Sequence, residues 1–90
     1  MNYVIVYDVS EDRKRKAIRE MLKDLGGERI QYSGFRIELD EEDLIQLLGK
    51  FRRVLEGSKG RVIAIPLCER DLKRSIKLVH NYEIRDDVLL

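Results

Sequence analysis

Apolar residues follow two rhythms along this chain, and the switches between them mark its elements. Tyr3-Val4-Ile5-Val6-Tyr7 is apolar or aromatic at every position and runs into Asp8. Such a run predicts a strand over Tyr3–Asp8, covered on both faces and so central in its sheet. Ala17, Ile18, Met21, Leu22 and Leu25 then recur at helical spacing. Ser10 is placed to cap that helix, with Glu11 and Asp12 in its first turn, where negative charge suits the dipole. Gly26-Gly27 predicts its end, because glycine enters the left-handed region without strain.

The stretch ERIQYSGFRIELD changes parity. Ile30 and Tyr32 are apolar on even positions, whereas Phe35, Ile37 and Leu39 are apolar on odd ones. A strand cannot change face without a bulge or turn, so two short strands are expected with a break at Ser33-Gly34. Asp40 and Asp43 predict a cap for a second helix, which carries Leu44, Leu47, Leu48, Phe51, Val54 and Leu55 and stops at Gly57. RVIAIP predicts another strand, closed by Pro66, which cannot donate to a central ladder. The order βαββαβ indicates an α+β fold, a ferredoxin-like sandwich with helices on one face of an antiparallel sheet. CERDLKRS predicts a turn or short helix, and IKLVHNYEI a further strand. With the sandwich complete, that strand belongs on a sheet edge, of its own chain or of a second subunit.

Composition adds bounds. The chain has 90 residues, 43% hydrophobic and 39% charged, which excludes disorder and fits one small domain that a partner would help to stabilise. The net charge of +1 hides an asymmetry. Arg13 to Arg36 holds eight Lys/Arg and three Asp/Glu; Ile37 to Leu48 holds five acids and no bases. A solvated helix face and a surface for a polyanion both account for that basic stretch. No apolar run approaches the roughly 18–20 residues needed to span a bilayer, and the N-terminus enters a strand at once rather than a signal peptide. Cys68 is the only cysteine, so no internal disulfide or CxxC site exists. A reduced, cytoplasmic protein is expected, with no membrane partner.

Asp8 is the first candidate for chemistry, at the carboxyl end of a strand just before a helix. A turn or capping aspartate is the structural alternative. One carboxylate makes a poor Mg2+ site, since magnesium takes one or two carboxylates and completes its shell with water and phosphate oxygens. A two-fold dimer would supply the second Asp8, and phosphodiester cleavage uses such an ion to activate water and stabilise charge on the phosphate. Tyr7 has two readings, a stacking or donating residue and a packing one. Arg13, Lys14, Arg15 and Lys16 cannot all face one way, so only part of this run reaches a nucleic-acid backbone. Arg29 and Arg36 flank the Ser33-Gly34 break as further phosphate contacts. Phe35 lies on the apolar face and His80 lacks a metal-spaced partner; both read as structural. No GxGxxG, Walker or GxSxG motif occurs.

YVIVYD, a basic helix, QYSGF and AIPLCERDLKR together resemble the Cas-two family of small CRISPR-associated nucleases, over nearly the whole chain. The resemblance implies a ferredoxin-like homodimer whose residues 68–90 form an extension that pairs across subunits, with residues 1–90 as one domain. It implies a Mg2+-dependent endonuclease acting on RNA or double-stranded DNA, with Asp8 as metal ligand met by its symmetry mate. It also implies action beside the Cas-one integrase, as a component that bridges integrase dimers and contacts the DNA to be inserted. Tyr7 and Asp8 match the strand motif, and Arg15, Arg29 and Phe35 match by position. Gly34 stands where the family commonly has Val, and Arg36 where it often has an acid. Three functions follow as alternatives: a phosphodiesterase using paired Asp8, a non-catalytic DNA-binding scaffold, and a metabolite-binding regulatory domain, which lacks a ligand loop here.

Overall fold

A computed structural model describes residues 1–82. Strand β1 (Asn2–Val9) leads into helix α1 (Asp12–Asp24), then strands β2 (Glu28–Gln31) and β3 (Gly34–Glu38). Helix α2 (Glu41–Leu55), strand β4 (Gly60–Leu67) and a short helix α3 (Glu69–Arg74) follow. The sheet order is β2-β3-β1-β4, antiparallel throughout. This is the ferredoxin-like α+β sandwich that the element order predicts.

The two faces of the sheet differ. Tyr3, Ile5, Tyr7 and Val9 alternate along β1 and are buried with Phe35 and Ile37 of β3. Ile18 and Leu22 of α1, with Leu44, Leu47 and Phe51 of α2, close this core. Each such side chain contributes roughly 1.5–3 kcal/mol on burial. The other face carries Val4 and Val6, which are half-buried, and Ile63 and Ile65, which are 43% and 45% exposed. β1 is central, as expected, but among the described residues no helix covers its second face. An apolar run there therefore marks a sheet face without cover among the described residues.

Several expected details shift. Helix α1 starts at Asp12, so its cap position falls on Glu11 and Ser10 lies outside it. Glu11 makes no capping bond; its carboxylate accepts instead from the Ser58 hydroxyl at 2.5 Å. The helix ends as predicted. Gly26 has φ +82°, its N–H donates to the Lys23 carbonyl, and the Gly27 N–H donates to the Leu22 carbonyl. That pair of bonds satisfies carbonyls the helix would otherwise leave orphaned. Asp40 caps α2 through the Asp43 N–H at 2.8 Å, and Gly57 follows its end with φ +82°.

The break between β2 and β3 falls at Tyr32-Ser33, one residue earlier than expected, with a register shift between Arg29 and Gln31. Gly34 is a strand residue facing Val6, not the turn glycine. Pro66 does not close β4. It pairs in register with Tyr3, and β4 continues to Leu67, because β4 is an edge strand whose outer side needs no N–H donor. The expected C-terminal strand does not form over its described part. Residues 76–82 belong to no strand, and Ile76 and Leu78 are almost fully exposed. The segment pairs with neither edge of its own sheet, so these side chains find no cover among the described residues. Positions 83–84 of that expectation, and the rest of the extension, lie outside the described residues. Among the described residues, no helix is long and apolar enough to cross a membrane.

Candidate metal and nucleic-acid site

The alternation of β1 decides where each candidate points. Asp8 follows Val4 and Val6 onto the face that no helix covers, and its side chain is 81% exposed. Tyr7 points the other way. Its ring is buried and stacks on Phe35 with centroids 6.5 Å apart, and its hydroxyl donates to the Tyr32 carbonyl at 3.3 Å. Burial pushes the Tyr7 phenol above its usual value, against the pull of Arg29, Arg19 and Arg15. Adjacent in sequence, Tyr7 and Asp8 stand on opposite faces, and a single chain does not bring them to one site.

The arginines divide in the same way. Arg15 donates from Nη1 to the Val9 carbonyl at 3.0 Å and pairs through Nη2 with Asp12, tying α1 to the end of β1. Arg29 is only 5% exposed. It donates from Nη2 to the Tyr32 carbonyl at 2.8 Å and from Nε to that of Gln31, and its guanidinium lies 5.3 Å from the centre of the Tyr32 ring. It staples the β2–β3 turn. Arg15, Arg19 and Arg29 line one shallow groove with Tyr32 and Ser33. Arg36 is on the Asp8 face but opposite Val4, four strand positions away, or about 13 Å. Its head is committed to Asn2 at 2.9 Å and to Glu28 at 2.7 Å. Arg13 is exposed at the start of α1. Phe35 is fully buried, as its parity predicts.

Two features were not read from the sequence. Arg61 pairs in register with Asp8 across β1 and β4, and its Nη2 lies 4.0 Å from Asp8 Oδ2. A signal existed: in this topology the start of β4 runs antiparallel to the end of β1, so a charge before VIAIP meets the charge after VIVY. The second is Lys14, whose ammonium donates to the Glu56 carbonyl and the Ser58 hydroxyl, both at 2.7 Å. With Glu11 it pins the start of α1 to the loop before β4. The Ser58 hydrogen bond, helped by Lys14 and Arg13, holds the Glu11 carboxyl below its usual range. Such contacts, more than forty residues apart along the chain, carry no local signal.

For a divalent cation the donor set within one chain is thin. Among the described residues, no three His, Cys, Asp or Glu gather as a metal cluster. Asp8 offers one exposed carboxylate. That fits the habit of Mg2+, which takes few protein ligands and keeps waters or phosphate oxygens, and it does not fit an all-protein cage.

The sequence model of the family described as CRISPR associated protein Cas2 matches residues 1–75. The chain belongs to the Cas2 family. The Cas2 match covers the whole sandwich and α3, and ends where the segment of residues 76–82 begins. A protein named CRISPR-associated endoribonuclease Cas2 from Archaeoglobus fulgidus is 40% identical over 73 residues, 78% of this chain and 74% of its own length. One of the same name from Korarchaeum cryptofilum is 37% identical over 73 residues, 81% of this chain and 78% of its own. The crystal structure of Streptococcus pyogenes Cas2 superposes with a TM-score of 0.76 at 15% identity, covering 88% of this chain and all of that one. At that identity the likeness is one of fold.

Proposed function

We propose that this Cas2 chain is a divalent-metal-dependent endonuclease that works as a homodimer, with Asp8 from each copy holding one Mg2+ against a phosphodiester. The observation that carries this reading is the placement of Asp8. It stands exposed at the end of β1, on the same face as Val4, Val6, Ile63 and Ile65. An apolar sheet face is the kind of surface a second copy covers, and a two-fold contact brings a residue against its own symmetry mate where that residue lies near the axis. The missing second carboxylate then comes from symmetry. The metal would activate water and neutralise charge on the phosphate, while Asp8 orients it. Relatives named endoribonuclease and endonuclease support hydrolysis of nucleic acid as the reaction.

The test is Asp8→Ala in protein purified free of contaminating nuclease, assayed on RNA and on duplex DNA with and without Mg2+. Loss of Mg2+-dependent cleavage with an unchanged sedimentation profile is expected. Cleavage that survives removes Asp8 as the ligand. Ile63→Glu puts a charge into the apolar face and is expected to shift the sedimentation profile toward monomer.

A second reading keeps the dimer without the chemistry: a DNA-binding scaffold that bridges Cas-one integrase dimers. The thin donor set of one chain, with the Arg61 guanidinium beside Asp8, favours it. Under this reading Asp8→Ala leaves integrase-dependent spacer insertion intact.

A further inference from the structure

We propose that Arg61 is the phosphate-binding residue of the Asp8 site, held by Asp8 until a divalent cation takes over that carboxylate. The proposal rests on the reading of Asp8 as the metal ligand. Its starting point is register. The β1–β4 ladder runs without a bulge to Val9 and Gly60, so Asp8 and Arg61 are direct cross-strand neighbours. In an antiparallel pair, such neighbours have Cα atoms only ~4.5–5.5 Å apart. The start of β4 is held from behind, where Lys14 and Glu11 grip Ser58. The backbone of Arg61 is therefore set beside Asp8 by the fold, with its guanidinium within reach of the carboxylate.

The contact itself is weak. At 4.0 Å it stands at the outer limit of an ion pair, with Arg61 72% and Asp8 81% exposed. Pairs of this kind are screened by solvent and easily exchanged. A metal ion bound at Asp8 cancels the charge that holds Arg61. The freed guanidinium is a planar fork that matches two phosphate oxygens.

Among the described residues, Arg61 is the cation that lines the pocket at Asp8. The shallow pocket around Asp8 is lined by Val6, Tyr7, Arg61 and Ile63, so Arg61 is its single positive side chain. Arg15, Arg19 and Arg29 line a separate groove by the β2–β3 turn, and Arg36 is tied to Asn2 and Glu28. A phosphodiester held by a metal at Asp8 would lie beside Arg61.

The experiment is a double-mutant cycle read by binding, not by turnover. A fluorescein-labelled DNA duplex and a labelled single-stranded RNA are titrated by anisotropy in EDTA and in Ca2+, over a salt series. In EDTA, Asp8→Asn is expected to raise affinity about threefold by unmasking Arg61, and Asp8→Asn/Arg61→Ala to show no gain. In Ca2+, Arg61→Ala is expected to lower affinity about fivefold and to reduce the salt slope by about 1, while Arg61→Lys keeps the slope. An equal gain from Asp8→Asn with and without Arg61 overturns the proposal, as does an unchanged slope for Arg61→Ala. If instead Ca2+ binding persists in Asp8→Ala, the reading of Asp8 fails, and the Arg61 arm in EDTA still reports separately on the phosphate contact.

Discussion

Replacing Tyr7 by Phe separates two roles that sequence alone leaves open for this residue. The substitution keeps the ring and removes one oxygen. The ring is what the structure uses, since it is buried and stacked on Phe35. The lost hydrogen bond, at 3.3 Å to the Tyr32 carbonyl, is long. That carbonyl also accepts from Arg29 Nη2 at 2.8 Å, so the substitution does not orphan it. The net value of a neutral hydrogen bond is about 0.5–1.5 kcal/mol, and retained satisfaction places this one at the low end, about 0.5 kcal/mol. For a domain of this size that is about 2–4 °C in melting temperature. Tyr7→Ala is a different experiment. It empties an aromatic core position at about 3–5 kcal/mol and confuses unfolding with lost chemistry.

Burial raises the phenol of Tyr7 above 10.0, so at neutral pH it is protonated and cannot serve as a general base. The sign of its linkage follows. A raised folded value contributes stability that is fully present below the unfolded value of 10.0 and is lost as pH rises through the folded one. Tyr7→Phe is therefore expected to cleave RNA or DNA at nearly the wild-type rate and to lose less stability than wild type above pH 10. Parallel urea melts and single-turnover cleavage on the same preparations read both. A drop of about 100-fold or more in cleavage, with the melt shifted only as estimated, refutes a packing role and makes the phenol a reacting group.

Gly27→Ala would place a Cβ 2.8 Å from the Leu22 carbonyl oxygen and 3.2 Å from the Phe35 ring. With backbone on one side, relief is limited, and a loss of about 1–3 kcal/mol is expected by urea denaturation. Glu11→Gln removes a carboxyl held below its usual 4.5, whose contribution is present above that value and lost as pH falls through the folded one. The variant is expected to show a flatter loss of stability below pH 4.5, measured as urea midpoints across a pH series. Arg13→Ala is expected to lower the salt slope of DNA binding by about 1 with no change in melting temperature. Arg15→Ala is expected to lower the melting temperature as well, because Arg15 also anchors α1 to the Val9 carbonyl.

The order βαββαβ and the two glycine stops were legible because they are local. Parity, caps and left-handed positions are written within a few residues of each other. The faces of β1 were not. A strand apolar at every position predicts cover on both sides, and here the second cover is absent among the described residues. Val4, Val6, Ile63 and Ile65 thus lie on a partly exposed face that a single-chain pattern reads as buried. The same logic misplaced Pro66, which a central strand forbids and an edge strand accepts, and it expected a strand over 76–84 whose described part, 76–82, joins neither edge of its own sheet.

The acid and the cations of YDVSEDRKRK illustrate the limit most sharply. In sequence they are one cluster. In the fold, period two sends Asp8 to the uncovered face, while helix α1 folds back and commits Arg15 to the Val9 carbonyl and Lys14 to Glu56 and Ser58. The cation that does face Asp8 lies far along the chain, at Arg61, and arrives there through the antiparallel register of β4. Charge proximity along a strand-to-helix junction is thus a poor guide to charge proximity in space. Cross-strand register is the better one, and it becomes usable as soon as the topology is known. If Asp8 holds a metal as proposed, a search for the phosphate contact should begin on β4 rather than on the basic first turns of α1.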